Sequence, residues 1–184
     1  MAADLTGKRV AFVVANEGVE QVELTEPWKA VTEAGATPVL IAPERDDVQA
    51  FDHLDKADTF PVDLTTADAD PSDYAAVVLP GGVANPDHLR QDEGARRIVR
   101  AAADAGTPIA VICHGPWTLI DAGVVSGRTL TSWPSLKTDL TNAGATWVDE
   151  EVVVDDSGAG PLITSRNPDD LPAFTKALVD ALST

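Results

Sequence analysis

The chain has 184 residues, 13 basic and 30 acidic side chains, and a formal charge of −17. At 44% hydrophobic and 23% charged residues it is too apolar for a disordered acidic tail, and its length suits one domain spanning residues 1–184. A charge of this sign repels phosphate backbones and anionic bilayers, which argues against nucleic acid or a membrane as partner.

Lys8 to Ala15 (KRVAFVVA) is a short, nearly continuous apolar run, the pattern of a strand buried on both faces. Glu20 to Ala34 has helical spacing, with Leu24, Trp28 and Val31 on one side and Gly35 placed to end it. Pro27 lies inside it, so the helix is expected to begin near Thr25 or to bend. Pro38 to Ala42 predicts a second strand. Val48 to Asp63 is too short and polar for a crossover helix and predicts a hairpin. Ala75 to Leu79 and Pro108 to Ile112 predict two more buried strands, with a helix between them over Asp92 to Ala105, closed by Gly106. Glu150 to Ser165 reads as two strands joined at Asp-Ser-Gly, and Pro168 to Leu182 as a closing helix. Strand and helix in alternation imply right-handed crossovers and a doubly wound sheet with helices on both faces.

A single cysteine, Cys113, excludes an intramolecular disulfide and a multi-cysteine zinc site and suits a reducing compartment. Met1 to Arg9 has no signal-peptide apolar stretch. The longest uncharged stretch, Gly106 to Ile120, contains two prolines and is shorter than the ~18–20 residues that span a bilayer. A cytoplasmic protein is expected.

The chemistry concentrates at Ile109 to Leu119, IAVICHGPWTL, where a buried strand runs into Cys113-His114-Gly115-Pro116. Pro116 suits the first turn of a following helix. Such an elbow lifts a nucleophile above the carboxyl edge of a sheet, near the positive end of a helix dipole that favours the thiolate. A lone cysteine is more often an inert core residue; the elbow reverses that weighting. Leu79-Pro80-Gly81-Gly82 also follows a strand, and the N–H groups of Gly82 and His114 are placed to form an oxyanion hole. By itself, Gly-Gly is an ordinary turn. Glu17, Glu20 and Glu23 follow the first strand; a carboxyl beside a thiolate would be held protonated, although any one of the three is more often a solvated helix start. His53 and His88 lack metal-ligand spacing, so no metal and no cofactor are expected.

These stretches resemble the ThiJ/PfpI superfamily, in its intracellular-protease-I-like branch. The resemblance runs through ANEGVEQVEL at Ala15–Leu24, VVLPGG at Val77–Gly82, ICHGPWTLIDAG at Ile112–Gly123, GRTLTSWPSLKTDLTNAGATWVDEEVVVD at Gly127–Asp155 and ITSRNPDDLPAF at Ile163–Phe174. It implies a flavodoxin-like three-layer α/β sandwich, like the class I glutamine amidotransferases. It implies Cys113 as nucleophile, with Glu20 at its sulfur and Glu17 as the alternative, because one extra residue separates the first glutamate from the rest of the motif. It implies that His114, which need not touch the sulfur, pairs with Asp87 of a neighbouring subunit in a homodimer or homohexamer, with the site at the interface. No histidine follows His114, which argues against the amidotransferase reaction. The implied activities are a cofactor-free glyoxalase or deglycase acting on small carbonyls, a cysteine peptidase or amidase acting on peptides, or an oxidisable stress sensor or chaperone.

Overall fold

The computed structural model describes residues 4–183. The first strand, β1 (Arg9–Val13), is an interior strand of the main sheet. After it come β2 (Glu17–Glu20), α1 (Gln21–Glu33), β3 (Thr37–Ala42), β4 (Val48–Asp52), β5 (Asp55–Phe60) and β6 (Leu64–Thr65). The chain continues through β7 (Ala76–Leu79), α2 (Ala84–Leu89), α3 (Glu93–Ala105), β8 (Ile109–Ile112) and α4 (Pro116–Ala122). It closes with β9 (Thr129–Leu130), α5 (Lys137–Asn142), β10 (Thr146–Trp147), β11 (Val153–Asp155), β12 (Leu162–Ser165) and α6 (Leu171–Leu182).

Seven strands form one sheet in the order β11-β12-β8-β7-β1-β3-β6, parallel except at β11, which runs against β12. Side chains alternate across it. Ala11 and Val13 face the layer of α3 and α4, where Ile98, Val99 and Leu119 are buried. Val10, Phe12 and Val14 face α1 and α6, where Leu24, Phe174 and Leu178 are buried. This is the expected three-layer α/β sandwich. No helix among the described residues is long and apolar enough to cross a membrane.

Local signals explain several element ends. The Asp92 side chain accepts from the Ala95 N–H at 2.7 Å and starts α3, and Gly106, at φ 75°, stops it. Helix α1 starts at Gln21 rather than near Thr25 and keeps Pro27 inside. Its apolar face against the sheet outweighs the one backbone donor that proline lacks. The expected hairpin is β4–β5, but it joins β2 in a separate three-stranded sheet.

The chain leaves β1 toward β3 on one side and reaches β7 on the other. The carboxyl ends of β1, β7 and β8 therefore meet at the switch point, the crevice where open α/β sheets bind ligands.

Candidate active site at the strand-to-helix elbow

Cys113 follows β8 directly and has φ 62°, in the left-handed region that non-glycine residues rarely occupy. The turn is held from both sides: the Cys113 N–H donates to the Ser165 carbonyl at 3.1 Å, and the Trp133 N–H donates to the Cys113 carbonyl at 2.9 Å. Pro116 opens α4 as expected. A strained residue kept by surrounding hydrogen bonds at a sheet edge is the structural mark of a functional elbow.

The carboxyl group beside the thiol belongs to Glu23, not Glu20. Glu23 is fully buried; its Oε2 accepts the Gly81 N–H at 2.7 Å, and the carboxyl group also faces the Cys113 thiol. Burial is the main cause that raises its pKa, from an ordinary 4.5 to about 8. Burial, followed by the Glu23 charge, pushes the Cys113 thiol up, while the backbone N–H groups of Gly82 and His114 at the sulfur pull it down. Acid and thiol thus compete for protons in one dry pocket.

The expectation for Glu20 is corrected by where the strand ends. Residues 17–20 pair with β4, and Glu20 accepts the His53 N–H at 3.1 Å across the top of the hairpin. Glu17 is exposed. The helix starts one residue after Glu20, which puts Glu23, Pro27 and Val31 on one buried face. That i, i+4, i+8 spacing is a signal the sequence contains: a carboxylate on the core stripe of a helix.

His114 is buried, and its Nδ1 lies 3.2 Å from Cys113 Sγ, a contact the sequence reading did not require. Its ring stacks on Trp133 with centroids 5.6 Å apart and meets Trp117 edge-on at 5.4 Å. Burial lowers its pKa to about 4, so the imidazole is neutral near pH 7. Asp87 is exposed and lines the same cavity, but among the described residues no hydrogen bond or ion pair joins it to His114.

The glycine loop is shaped by contact. A side chain on Gly81 would come within 2.5 Å of Glu23 Oε2 and 2.6 Å of Cys113 Cβ. Gly82 has φ 81°, and a Cβ there would run into the Gly18 carbonyl. Asn85, overlooked by motif reading, fastens this loop. Its Oδ1 accepts the Ala15 N–H at 2.7 Å, and its Nδ2 donates to the carbonyls of Pro80 and Gly81 at 3.0 and 2.9 Å. Asn85→Leu would leave these buried groups unpaired and is expected to cost about 2–4 kcal/mol in denaturant unfolding; a loss below ~0.5 kcal/mol would remove this role.

Above the sulfur lies a cavity of about 620 Å³, walled by the hairpin, the glycine loop, Trp117 and Trp133. Two of its lining residues, Glu20 and His53, and the neighbouring Asp52 each place one ligand-capable atom within 4.8 Å of the others. Asp52 and His53 are exposed, and exposed acidic groups gather in this way without an ion.

Residues 8–181 match the DJ-1/PfpI family. A protein described as a deglycase, from Pyrococcus horikoshii, is 41% identical over 174 residues, covering 95% of this chain and 99% of its own. An uncharacterized protein of Staphylococcus saprophyticus is 40% identical over 178 residues, 96% and 98% of the two chains. The crystal structure of Drosophila melanogaster DJ-1beta shares 28% identity at a TM-score of 0.83, covering 96% of this chain and 90% of its own. A two-domain protein from Anabaena variabilis, with DJ-1/ThiJ/PfpI-like and ferritin-like domains, is 34% identical at a TM-score of 0.88; the match takes in 95% of this chain and 48% of that one.

Proposed function

The chain belongs to the DJ-1/PfpI family, and from that premise we propose that it is a cysteine-dependent enzyme converting small reactive carbonyls, without cofactor, to hydroxy acids. The supporting observation is the Cys113–Glu23 pair: a nucleophile whose neighbour is a carboxylic acid that keeps its proton at neutral pH. The relative described as a deglycase is consistent with carbonyl chemistry.

For methylglyoxal the steps balance as follows. The Cys113 sulfur bonds to the aldehyde carbon as the thiol proton leaves to water, and the carbonyl oxygen takes the Glu23 proton, helped by the Gly82 and His114 N–H groups. Glu23, now ionised, removes the proton on that carbon, and the electron pair moves to the ketone, whose oxygen takes a proton back from water to give an enediol. Reprotonation at the former ketone carbon leaves a lactyl thioester, which water hydrolyses to lactate and free thiol. The aldehyde carbon is oxidised and the ketone carbon reduced, so no external oxidant or reductant is needed.

Peptide hydrolysis is less well served. It needs a basic imidazole to protonate a leaving amine, whereas burial makes His114 a weak base and among the described residues no carboxylate is bonded to its ring.

The test is lactate formation from methylglyoxal by purified protein in phosphate buffer without glutathione, followed by proton NMR. Turnover above buffer is expected. Lactate appearing only at the buffer rate would dismiss the proposal.

A further inference from the structure

The cavity above Cys113 has a one-sided electrostatic character. Glu20, Glu23 and Asp87 contribute to its wall together with Phe51, Trp117 and Trp133, and among the described residues no lysine or arginine lines it. Arg90 sits over the Trp117 ring, 5.5 Å from the centroid, but its guanidinium is held 2.6 Å from the Asp121 carboxylate. Two histidines reach the cavity. His114 is neutral, and the His53 ring lies 3.9 Å from the Asp52 carboxylate, next to the cavity wall. The positive features are the Gly82 and His114 N–H groups. They are directed at the sulfur, which leaves the outer cavity to acids and indole rings. Carboxylates and indole faces attract cations, and a cleft lined by one sign of charge concentrates ions of the other. The rest of the chain, at −17, adds to this field.

We propose that this cavity selects by charge: it takes a compact electrophile bearing an ammonium or guanidinium group ahead of its neutral analogue, and turns away anionic carbonyl compounds such as α-oxo acids and phosphorylated aldehydes. This deepens the carbonyl reading above and rests on Cys113 being the group that meets the substrate.

Because the chain has one cysteine, the cavity can be read without turnover. The probes are three methanethiosulfonates of similar size: trimethylammonium-ethyl, 3,3-dimethylbutyl and sulfonatoethyl. Each forms a mixed disulfide with Cys113 and releases methanesulfinate. Rates are followed by mass spectrometry and divided by those with 2-mercaptoethanol, which removes intrinsic reactivity. At low ionic strength the corrected order is cation, neutral, anion, with a cation-to-anion ratio of ~10 or more. The ratio collapses toward one as ~0.5 M salt screens the field. It also falls in Asp87→Asn, an exposed position whose change leaves the buried hydrogen bonds intact. Glu20→Gln is the second variant. A ratio within twofold of one, a ratio that both variants leave unchanged, or failure of all three reagents to label the folded protein would overturn the proposal. Lactate formation without charge discrimination removes only the charge filter, whereas discrimination without lactate removes only the carbonyl reading.

Discussion

Cys113→Ala is expected to reduce lactate formation from methylglyoxal to the rate in buffer, a loss of ~10³-fold or more in kcat, because no other group can form the covalent adduct. The substitution should be conformationally silent. Alanine has the same single Cβ substituent requirement at φ 62°, and the backbone bonds to Ser165 and Trp133 do not involve the sulfur. Thermal unfolding within a few degrees of wild type would confirm that chemistry alone was removed. Cys113→Ser is the companion: it keeps a polar atom near His114 Nδ1 but offers a far weaker nucleophile. Turnover by the alanine protein within tenfold of wild type would refute covalent catalysis.

Glu23→Gln should separate stability from reactivity. The folded chain holds the Glu23 proton up to about pH 8, whereas the ordinary carboxyl releases it near 4.5. Between those values the unfolded state binds fewer protons than the folded one, so stability falls as pH rises through this window. Each pH unit costs about 1.4 kcal/mol while the difference persists. Glutamine has no proton to lose, and its side-chain oxygen can still accept the Gly81 N–H. The variant is therefore expected to be more stable at pH 8 by about 2–4 kcal/mol, a rise of roughly 5–10 °C in Tm, with no gain near pH 4.5. Its turnover should drop by about 10²-fold or more, because an amide cannot give and retake the proton. Equal Tm differences at pH 4.5 and pH 8 would show that Glu23 does not carry a displaced proton.

The sequence reading reached the elbow that carries Cys113 and stopped short of the carboxyl group beside it, for a physical reason. Cys113 was legible because the transition at the elbow is local: an apolar run, then Cys-His-Gly-Pro, needs no knowledge of the rest of the chain. The capping of α3 by Asp92 and Gly106 was legible in the same way. Choosing among Glu17, Glu20 and Glu23 required the phase of the chain between strand and helix. That phase is set by pairing of β2 with β4, about thirty residues away. Helix α2 carries Pro86 and only six residues, too few for a period to show. The β9–β10 pair, at two residues each, is equally silent in the sequence. Asn85 is a generic residue by type, and its three bonds exist only once β1 and the glycine loop are adjacent.

The sheet of β2, β4 and β5 exchanges no strand pairing with the seven-stranded sheet. The wall facing Cys113 is thus a module that evolution or an engineer can rewrite without touching the main ladder. Most of β5 is solvent-facing and Leu54 at the turn is 93% exposed, while Val48 and Ala50 are fully buried anchors. A cassette spanning residues 48–60 that keeps those two anchors and the His53 N–H to Glu20 bond could be exchanged between relatives. Such transplants would change what meets the Cys113 sulfur while leaving the elbow that holds it as it is.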